Sequence, residues 1–184
     1  MLLMPYITRM LGKDALGVNS VGQAIAGYFV LLGNLGITIY GAKVISECRD
    51  DKESKQQKFA ECVTYQIFFN AIAILLYNGW VLVQEDPIYF LFNLVILTSM
   101  TDLSWAYTGM ERFDLIAYRN LAIKFIGTLL VFVFVRKQTD LALFIIIQQG
   151  VLLLSNIIFW LELGKLEIVP RFFSLRLSLT RILK

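Results

Sequence analysis

The sequence predicts an all-α fold, a polytopic bundle of transmembrane helices. Of the 184 residues, 58% are hydrophobic and only 17% are charged, and the mean hydropathy is +0.67. So few charges could not cover the apolar surface of a soluble domain of this length, whereas lipid suits such a composition as a solvent. Apolar stretches of about 20 residues, the length that crosses a bilayer core as a helix, recur five times between polar breaks. Because no water reaches the bilayer core, helices must satisfy the backbone there.

The chain begins with a short apolar stub, residues 1–4, which is followed by Pro5. The stub has no charged region before it and no small-residue cleavage site after it, so it lacks the features of a signal peptide. We expect it to be the end of a helix that precedes the first complete span. Five complete spans are then expected at residues 17–40, 59–83, 88–110, 115–135 and 141–163.

Polar segments or proline separate these spans. The polar run at residues 43–58 ends the first span, and Pro87 cannot continue the second span as a helix. Arg136 and Lys137 end the fourth span. The connections are short, so consecutive spans should run antiparallel.

Lysine and arginine are divided unequally between the two loop faces. One face carries four of these residues and the other carries thirteen. The four are Arg9, Lys13, Arg136 and Lys137. The positive-inside rule predicts that the face with thirteen is cytoplasmic, which puts the C-terminal end in the cytoplasm. Two of the thirteen, Arg119 and Lys124, lie inside the fourth span, and without them the ratio is still eleven to four.

We expect two regions along the chain. Residues 1–168 form the transmembrane bundle, and residues 169–184 form a basic linker on the cytoplasmic side. The linker mixes phenylalanine and leucine with four basic residues. This composition suits an anionic membrane surface, although a plain connection into a following span would also explain it.

Several classes of function have no support in the sequence. There is no histidine, and Cys48 and Cys62 do not have the spacing of metal ligands, so no metal or cofactor is expected. The basic residues are not interleaved with aromatic residues, which argues against a nucleic-acid surface. No nucleophile and base pair and no phosphate loop appears, so an enzyme is the least favoured hypothesis.

Three of the five expected spans carry a polar stripe along one helical face. Such stripes form hydrogen bonds between helices, or they line a hydrated cavity. The sequence leaves both interpretations open. The stripes are Gln23, Gly27 and Asn34 in the first span, Gln66, Asn70 and Tyr77 in the second, and Gln148, Ser155 and Glu162, with Gln149 and Asn156 beside them, in the fifth.

Charged residues inside the spans are rarer. Asp102 lies past the middle of the third span, and Lys124 lies within the fourth. A charge within the membrane is by default a functional hypothesis. One interpretation is a salt bridge between Asp102 and Lys124. The others are ion coupling through Asp102 and a basic site for an anionic head group at Arg119 and Lys124, although Lys124 could also extend to the interface.

Five segments, in order, resemble a known family. Their order and spacing are similar to those of O-antigen and polysaccharide flippases of the multidrug/oligosaccharidyl-lipid/polysaccharide exporter superfamily. One departure is Thr108, which stands where many members have glutamine. The segments are residues 4–12 (MPYITRMLG), 35–41 (LGITIYG), 49–52 (RDDK), 102–113 (DLSWAYTGMERF) and 119–120 (RN).

This resemblance implies a transporter of two helix bundles that rock to give alternating access, of which this chain would be the N-terminal half. It implies a multi-pass protein of the bacterial inner membrane. The implied cargo is an undecaprenyl-pyrophosphate-linked oligosaccharide for O-antigen, capsule, exopolysaccharide or teichoic acid export. Membrane lipid and, as protein partners, a polysaccharide polymerase and glycosyltransferases are implied with it.

The resemblance also directs attention to particular side chains. Arg9, Arg119 and Lys124 are the candidates for pyrophosphate contacts, because guanidinium and ammonium groups pair with phosphate. Asn34 is a further candidate for substrate binding. Asp102 is the candidate for ion coupling. Glu111 and Arg112 lie in a tight cytoplasmic loop, where we expect a gate or a pair that fixes the turn.

Two other hypotheses remain open. A drug or cation antiporter of the same superfamily would use Asp102 as its cation or proton carboxylate. The basic residues of the fourth span argue against this, because they would repel a cationic drug. A membrane assembly subunit without transport activity is a hypothesis of a different class.

The charge bias predicts which loops face the cytoplasm. We expect the Lys55→Cys and Asp86→Cys variants, each made after replacement of Cys48 and Cys62, to react with a thiol reagent from opposite sides of the membrane. An impermeant reagent applied to intact cells should label position 86 and leave position 55 unlabelled. Labelling of position 55 in intact cells would overturn the orientation.

Overall fold

The computed structural model describes residues 3–84 and 86–163, and in these ranges every regular element is helical. The predicted basic linker at residues 169–184 lies outside the described residues. Two short 3₁₀ turns, Pro87–Phe92 and Gln138–Asp140, accompany seven α-helices. These are α1 (Leu3–Asn34), α2 (Ile37–Glu47), α3 (Lys52–Val81), α4 (Asn93–Thr101), α5 (Ser104–Gly109), α6 (Phe113–Phe134) and α7 (Leu141–Glu162).

Five segments within the described residues are long and apolar enough to cross a membrane, as the sequence predicts. Their helical content and number confirm the all-α, five-span fold. The segments are Leu3–Glu47, Lys52–Val81, Pro87–Gly109, Phe113–Phe134 and Gln138–Glu162.

The first span is longer and more bent than the expected range of 17–40. Gly12 interrupts α1 with a non-helical backbone (φ 78°, ψ 173°), so residues 3–11 form a separate helical segment that includes part of the expected stub. A second break follows at Gly36, whose φ of 81° separates α1 from α2. Glycine adopts such positive φ values without the steric cost that a Cβ brings.

The polar run at residues 43–58 is mostly helical, although it was expected to end the first span. Lysine, glutamate and glutamine, which are frequent in this run, are good helix formers. After a turn at residues 48–51, Asp51 caps α3 by accepting from the backbone N–H of Glu53 and Ser54. The Ser54 hydroxyl donates to the same carboxylate at 2.6 Å and holds the pKa of Asp51 below its usual value.

The third span is not the continuous helix expected over residues 88–110. It consists of a 3₁₀ turn, then α4, a break at Asp102 and Leu103, and then α5. Asp102 has an extended backbone (φ −75°, ψ 121°). Its Oδ1 accepts from the Ser104 N–H (3.1 Å) and hydroxyl (2.6 Å). This local bonding competes with the helix and stabilises the turn.

Two apolar cores lie at different depths of the bundle. One core packs around Tyr77, Phe92 and Ile145. The other packs around Trp105 and Tyr107, at the end that carries the loops 48–51 and 110–112. Between the two cores, along each of the helices that cross both, come buried polar side chains, which we call the polar layer. Its buried members are Gln66, Asn70, Thr98, Gln149, Ser155 and Asn156.

The helix α6 is peripheral. Among the residues that the structure describes, Val131 is the only buried one of α6. Its neighbours are chiefly α7 along its length and α5 near its start. Much of the surface of α6 that does not contact α7 is therefore exposed.

Close packing of α1 on α3 depends on a small residue. A Cβ placed on Gly33 would lie 2.6 Å from Asn70 Oδ1 and 3.2 Å from Asn70 Cα. Real carbon atoms do not approach so closely, so a larger residue would push the helices apart or displace the amide. Small residues allow this approach in membrane bundles generally.

We expect Gly33→Ala to lower the free energy of unfolding by about 1–3 kcal/mol, because it overpacks the α1–α3 contact. Thermal unfolding of the detergent-solubilised protein measures the effect. Gly27→Ala is the matched control on the same helix, since its Cβ would meet nothing within 4 Å. Equal midpoints for the two variants would contradict the close contact.

Candidate functional site

A polar cavity of about 460 Å³ lies among α1, α4, α6 and α7. Charged residues also reach it, because Asp102 and Arg119 form part of its wall. Such a polar space inside an apolar bundle is unusual, since polar groups facing lipid are costly. Seven of the twelve wall residues carry an amide or a hydroxyl group, namely Gln23, Asn34, Thr98, Ser99, Gln148, Gln149 and Asn156.

The three polar stripes have two different roles. Members of the first and fifth stripes line the polar cavity, among them Gln23 and Gln148. The second stripe does not line it. Gln66, Asn70 and Tyr77 are buried and form hydrogen bonds instead. Both interpretations of the stripes therefore apply. The second stripe forms hydrogen bonds, whereas the first and fifth stripes line the cavity and also bond neighbouring helices, through Asn34 and Asn156.

Asn34 connects the cavity wall to the polar layer. Its Nδ2 donates to Ser99 Oγ at 2.8 Å, and its Oδ1 accepts from Asn70 Nδ2 at 3.2 Å. Asn70 Nδ2 also donates to the carbonyl of Gly33 at 3.2 Å. These bonds fix the orientation of the Asn34 amide at the edge of the cavity.

The break in the third span leaves backbone carbonyls without helical partners, and Gln66 satisfies two of them. Its Nε2 donates to the carbonyls of Ser99 (2.8 Å) and Asp102 (2.9 Å). Its Oε1 accepts from Trp105 Nε1 at 2.8 Å. Trp105 is buried, so its indole supports the break and is not exposed to a ligand.

Side chains of α7 satisfy further carbonyls from the other side. Asn156 Nδ2 donates to the carbonyl of Thr98 (2.8 Å) and to Thr101 Oγ1 (3.0 Å). Trp160 Nε1 donates to the carbonyl of Thr101 at 2.9 Å. The two bonds to carbonyls replace bonds that an unbroken helix would have made.

Asp102 and Arg119 form an ion pair at the cavity wall. Arg119 Nη1 lies 3.2 Å from Asp102 Oδ1 and donates to Ser104 Oγ at 2.9 Å. The guanidinium also lies over the ring of Phe159, 4.5 Å from its centroid. The Arg119 side chain is 11% exposed and that of Asp102 is 40% exposed. Among the described residues, the buried Nε of Arg119 has no hydrogen-bond acceptor.

The pairing of Asp102 with Lys124 that the sequence suggested is wrong. Lys124 lies five residues beyond Arg119, which is about 7.5 Å further along α6 and on a different face. It is exposed and lines a separate cavity of about 210 Å³ together with Gln148 and Thr128. Gln148 also lines the polar cavity, so the two spaces adjoin.

Arg9 stands apart from these groups. It is exposed on the first segment of α1, and it is not among the described residues that line the polar cavity. The structure therefore brings together Asn34, Asp102 and Arg119, places Lys124 next to them and leaves Arg9 outside.

Glu111 and Arg112 do not pair with each other, contrary to one of the two expectations for this loop. Glu111 Oε2 pairs with Arg49 Nη1, and thereby joins the loop after α2 to the loop after α5. Arg112 Nε pairs with Asp114 Oδ1 at 3.2 Å. All four side chains are 43–61% exposed, so each pair contributes about 0–1 kcal/mol to stability.

A family model described as Polysaccharide biosynthesis protein matches residues 1–183. The chain belongs to this family. It is also 21% identical over 163 residues to an Escherichia coli (strain K12) protein named "Putative O-antigen transporter". The match covers 86% of this chain and 39% of that protein, so the chain spans about two fifths of the relative's length. No solved structure matches the chain at a significant level.

This family membership confirms the resemblance seen in the sequence motifs. With its five apolar helices, the chain is a multi-pass membrane protein. Sequence reasoning missed three residues of the candidate site, Ser99, Ser104 and Phe159. Serine two residues after aspartate is a common signal for a local turn, and the pattern Asp102-Leu103-Ser104 could have indicated the break. Phe159, which lies under Arg119, has no comparable signal.

Amides that bond the carbonyls at the break and amides that only face the cavities should contribute differently to the stability of this family member. Asn156→Leu removes two donated bonds in the polar layer, and we expect a loss of about 1–2 kcal/mol in the free energy of unfolding. Gln148→Met is the control on the same helix, since its amide faces the cavities. We expect no change in the thermal midpoint for Gln148→Met, and a loss as large as that of Asn156→Leu would contradict the division of roles.

Proposed function

We propose that the protein is a transporter that moves undecaprenyl-pyrophosphate-linked oligosaccharides across the bacterial inner membrane by alternating access. The cargo would serve O-antigen, capsule, exopolysaccharide or teichoic acid export, with glycosyltransferases supplying it and a polymerase using it. In this proposal the protein does no covalent chemistry. The face with loops 48–51 and 110–112 is cytoplasmic.

The observation that carries the proposal is Arg119 at the wall of the polar cavity. A pyrophosphate head group that enters an apolar bundle needs a positive partner, because an unpaired anion there costs several kcal/mol. Arg119 supplies a guanidinium, and its buried Nε has no acceptor among the described residues. Guanidinium and phosphate form the strong, charge-assisted class of hydrogen bond.

The amide groups of the cavity suit the other part of the cargo. Sugar hydroxyls both donate and accept hydrogen bonds, and so do the side chains of Gln23, Asn34 and Gln148. The volume of about 460 Å³ is within the range of pockets that hold small ligands. In the proposed two-bundle transporter, the second half supplies the facing wall and enlarges this space.

The remaining candidates take supporting roles in the proposal. Lys124 is a second cation for the head group, in the space that adjoins the polar cavity. Arg9 meets the head group nearer the outer face after the bundles have moved. The Arg49–Glu111 pair joins two cytoplasmic loops and acts as part of an intracellular gate.

A cation antiporter is the rival, and one observation favours it. The carboxylate of Asp102 is 40% exposed and lies in the cavity wall, where a cation or a proton could reach it. Against this, Arg119 already neutralises that carboxylate and would repel a second cation. The two functions therefore differ in which member of the pair the transport step requires.

Removal of Arg119 alone would also leave Asp102 unpaired, so the decisive test removes both charges. We expect Arg119→Met to abolish surface polysaccharide in a complemented flippase-deficient strain. The double variant Arg119→Met with Asp102→Asn has no unpaired charge and keeps the acceptor for the Ser104 N–H. We expect the double variant protein to reach normal abundance in the membrane. It should not restore surface polysaccharide, since the head group still lacks its cation.

If the double variant restores surface polysaccharide, Arg119 serves only to neutralise Asp102. That result would refute the proposal. Loss in Asp102→Asn alone, with activity kept in the Arg119→Met variant, would support the cation antiporter. Arg136→Ala, in the loop before α7, is the control and should keep full polysaccharide. Immunoblots of isolated membranes separate loss of activity from loss of protein.

A further inference from the structure

An apolar groove of about 500 Å³ runs between α6 and α7. Its walls come from residues 115–130 of α6 and from residues 151–162 of α7. The part on α6 spans about 22 Å, which is a large share of the bilayer core. Branched aliphatic side chains, such as Ile123, Ile126 and Leu154, dominate the walls.

The groove and the polar cavity share Arg119 as a wall residue. The guanidinium therefore lies between an apolar channel on one side and an amide-lined space on the other. A ligand that occupies both needs one long apolar chain, an anionic centre beside Arg119 and a hydroxyl-rich head. A phospholipid has the first two features, but its head is small for a polar space of about 460 Å³.

Besides Arg119, the groove wall on α7 carries two polar side chains, Ser155 and, near its end, Glu162. Ser155 lines the groove and is 7% exposed, and its Oγ has no hydrogen-bond partner among the described residues. Ser155 lies one helical turn before Phe159, whose ring carries the guanidinium of Arg119. A buried hydroxyl without a partner is costly, and an anionic oxygen would satisfy it.

We propose that the α6–α7 groove holds the polyprenyl chain of the lipid carrier, with its diphosphate beside Arg119 and Ser155. This inference rests on the proposed function and adds the site of the lipid chain. Lipid is as apolar as the groove, so the chain gains little transfer free energy on entry. The groove instead orients the carrier, so that its head group enters the polar cavity along the α6–α7 seam.

The test uses the full-length protein in vesicles of phosphatidylethanolamine and phosphatidylglycerol. The probe is an undecaprenyl diphosphate analogue with a photoreactive diazirine in the distal part of its chain. We expect the label on peptides that contain residues 123–130 and 151–158. Excess undecaprenyl diphosphate should reduce labelling by about tenfold, whereas the same amount of added phosphatidylglycerol should not.

Two variants locate the chain within the groove. Ile126→Trp fills the groove, and we expect about tenfold less label in these peptides. Leu121→Trp is the control, since Leu121 lies on the same helix, is 68% exposed and is not among the groove residues. If Ile126→Trp does not fold, Leu154→Trp on α7 takes its place, with Leu161→Trp as its control.

Label on other helices, or equal competition by phosphatidylglycerol, would overturn the inference. Transport of a lipid-linked oligosaccharide into the same vesicles tests the proposed function separately. Transport with the label elsewhere would overturn the groove alone. Specific label in the groove without transport would support the chain site while the proposed function fails.

Discussion

The interruption of the third span at Asp102 and Leu103 is the constraint on which the rest of the structure depends. A helix that stops inside a membrane exposes carbonyl groups where water cannot reach them. Gln66 approaches from α3, and Asn156 and Trp160 approach from α7, to bond the carbonyls of Thr98, Ser99, Thr101 and Asp102. Two of the other spans are therefore fixed in depth and rotation relative to this break. The same turn also carries the carboxylate of Asp102 into the cavity wall.

The polar layer lies at the depth of the break because its side chains bond the carbonyls that the break exposes. Below and above it, the helices meet through aliphatic and aromatic side chains, as in most membrane bundles. At the break the helices meet through amides and hydroxyls, and several of these side chains, among them Asn156, also line the polar cavity. Buried and cavity-facing polar groups therefore lie side by side, for example Gln149, which is buried, and Gln148, which is exposed.

The sequence was sufficient for the parts of the fold that hydropathy controls. Five spans, their order and the polar stripes could be predicted, because each depends on composition within about 20 residues. The break at Asp102 escaped this approach, since a window that averages hydropathy does not detect a turn within an apolar stretch. The predicted partner of Asp102, Lys124, was wrong for a different reason. Choosing Arg119 over Lys124 requires the vertical register of α6 against α5, and that register is set by packing between helices. Asn34 could be placed near the cavity because its own helix carries a polar stripe. The contact of Phe159 with the guanidinium of Arg119 depends on packing between helices and could not be predicted.

The ion pair of Asp102 and Arg119 has an electrical consequence. Because the two charges cancel, the pair itself does no work when it moves through the membrane field. In the proposed transporter, an anionic head group that binds beside Arg119 gives the occupied site a net negative charge. A cell interior that is negative by 100 mV favours outward movement of each such charge by about 2.3 kcal/mol. The membrane voltage would then pull the occupied site towards the outer face, whereas the Asp102–Arg119 pair would add no electrical cost to the return of the empty carrier.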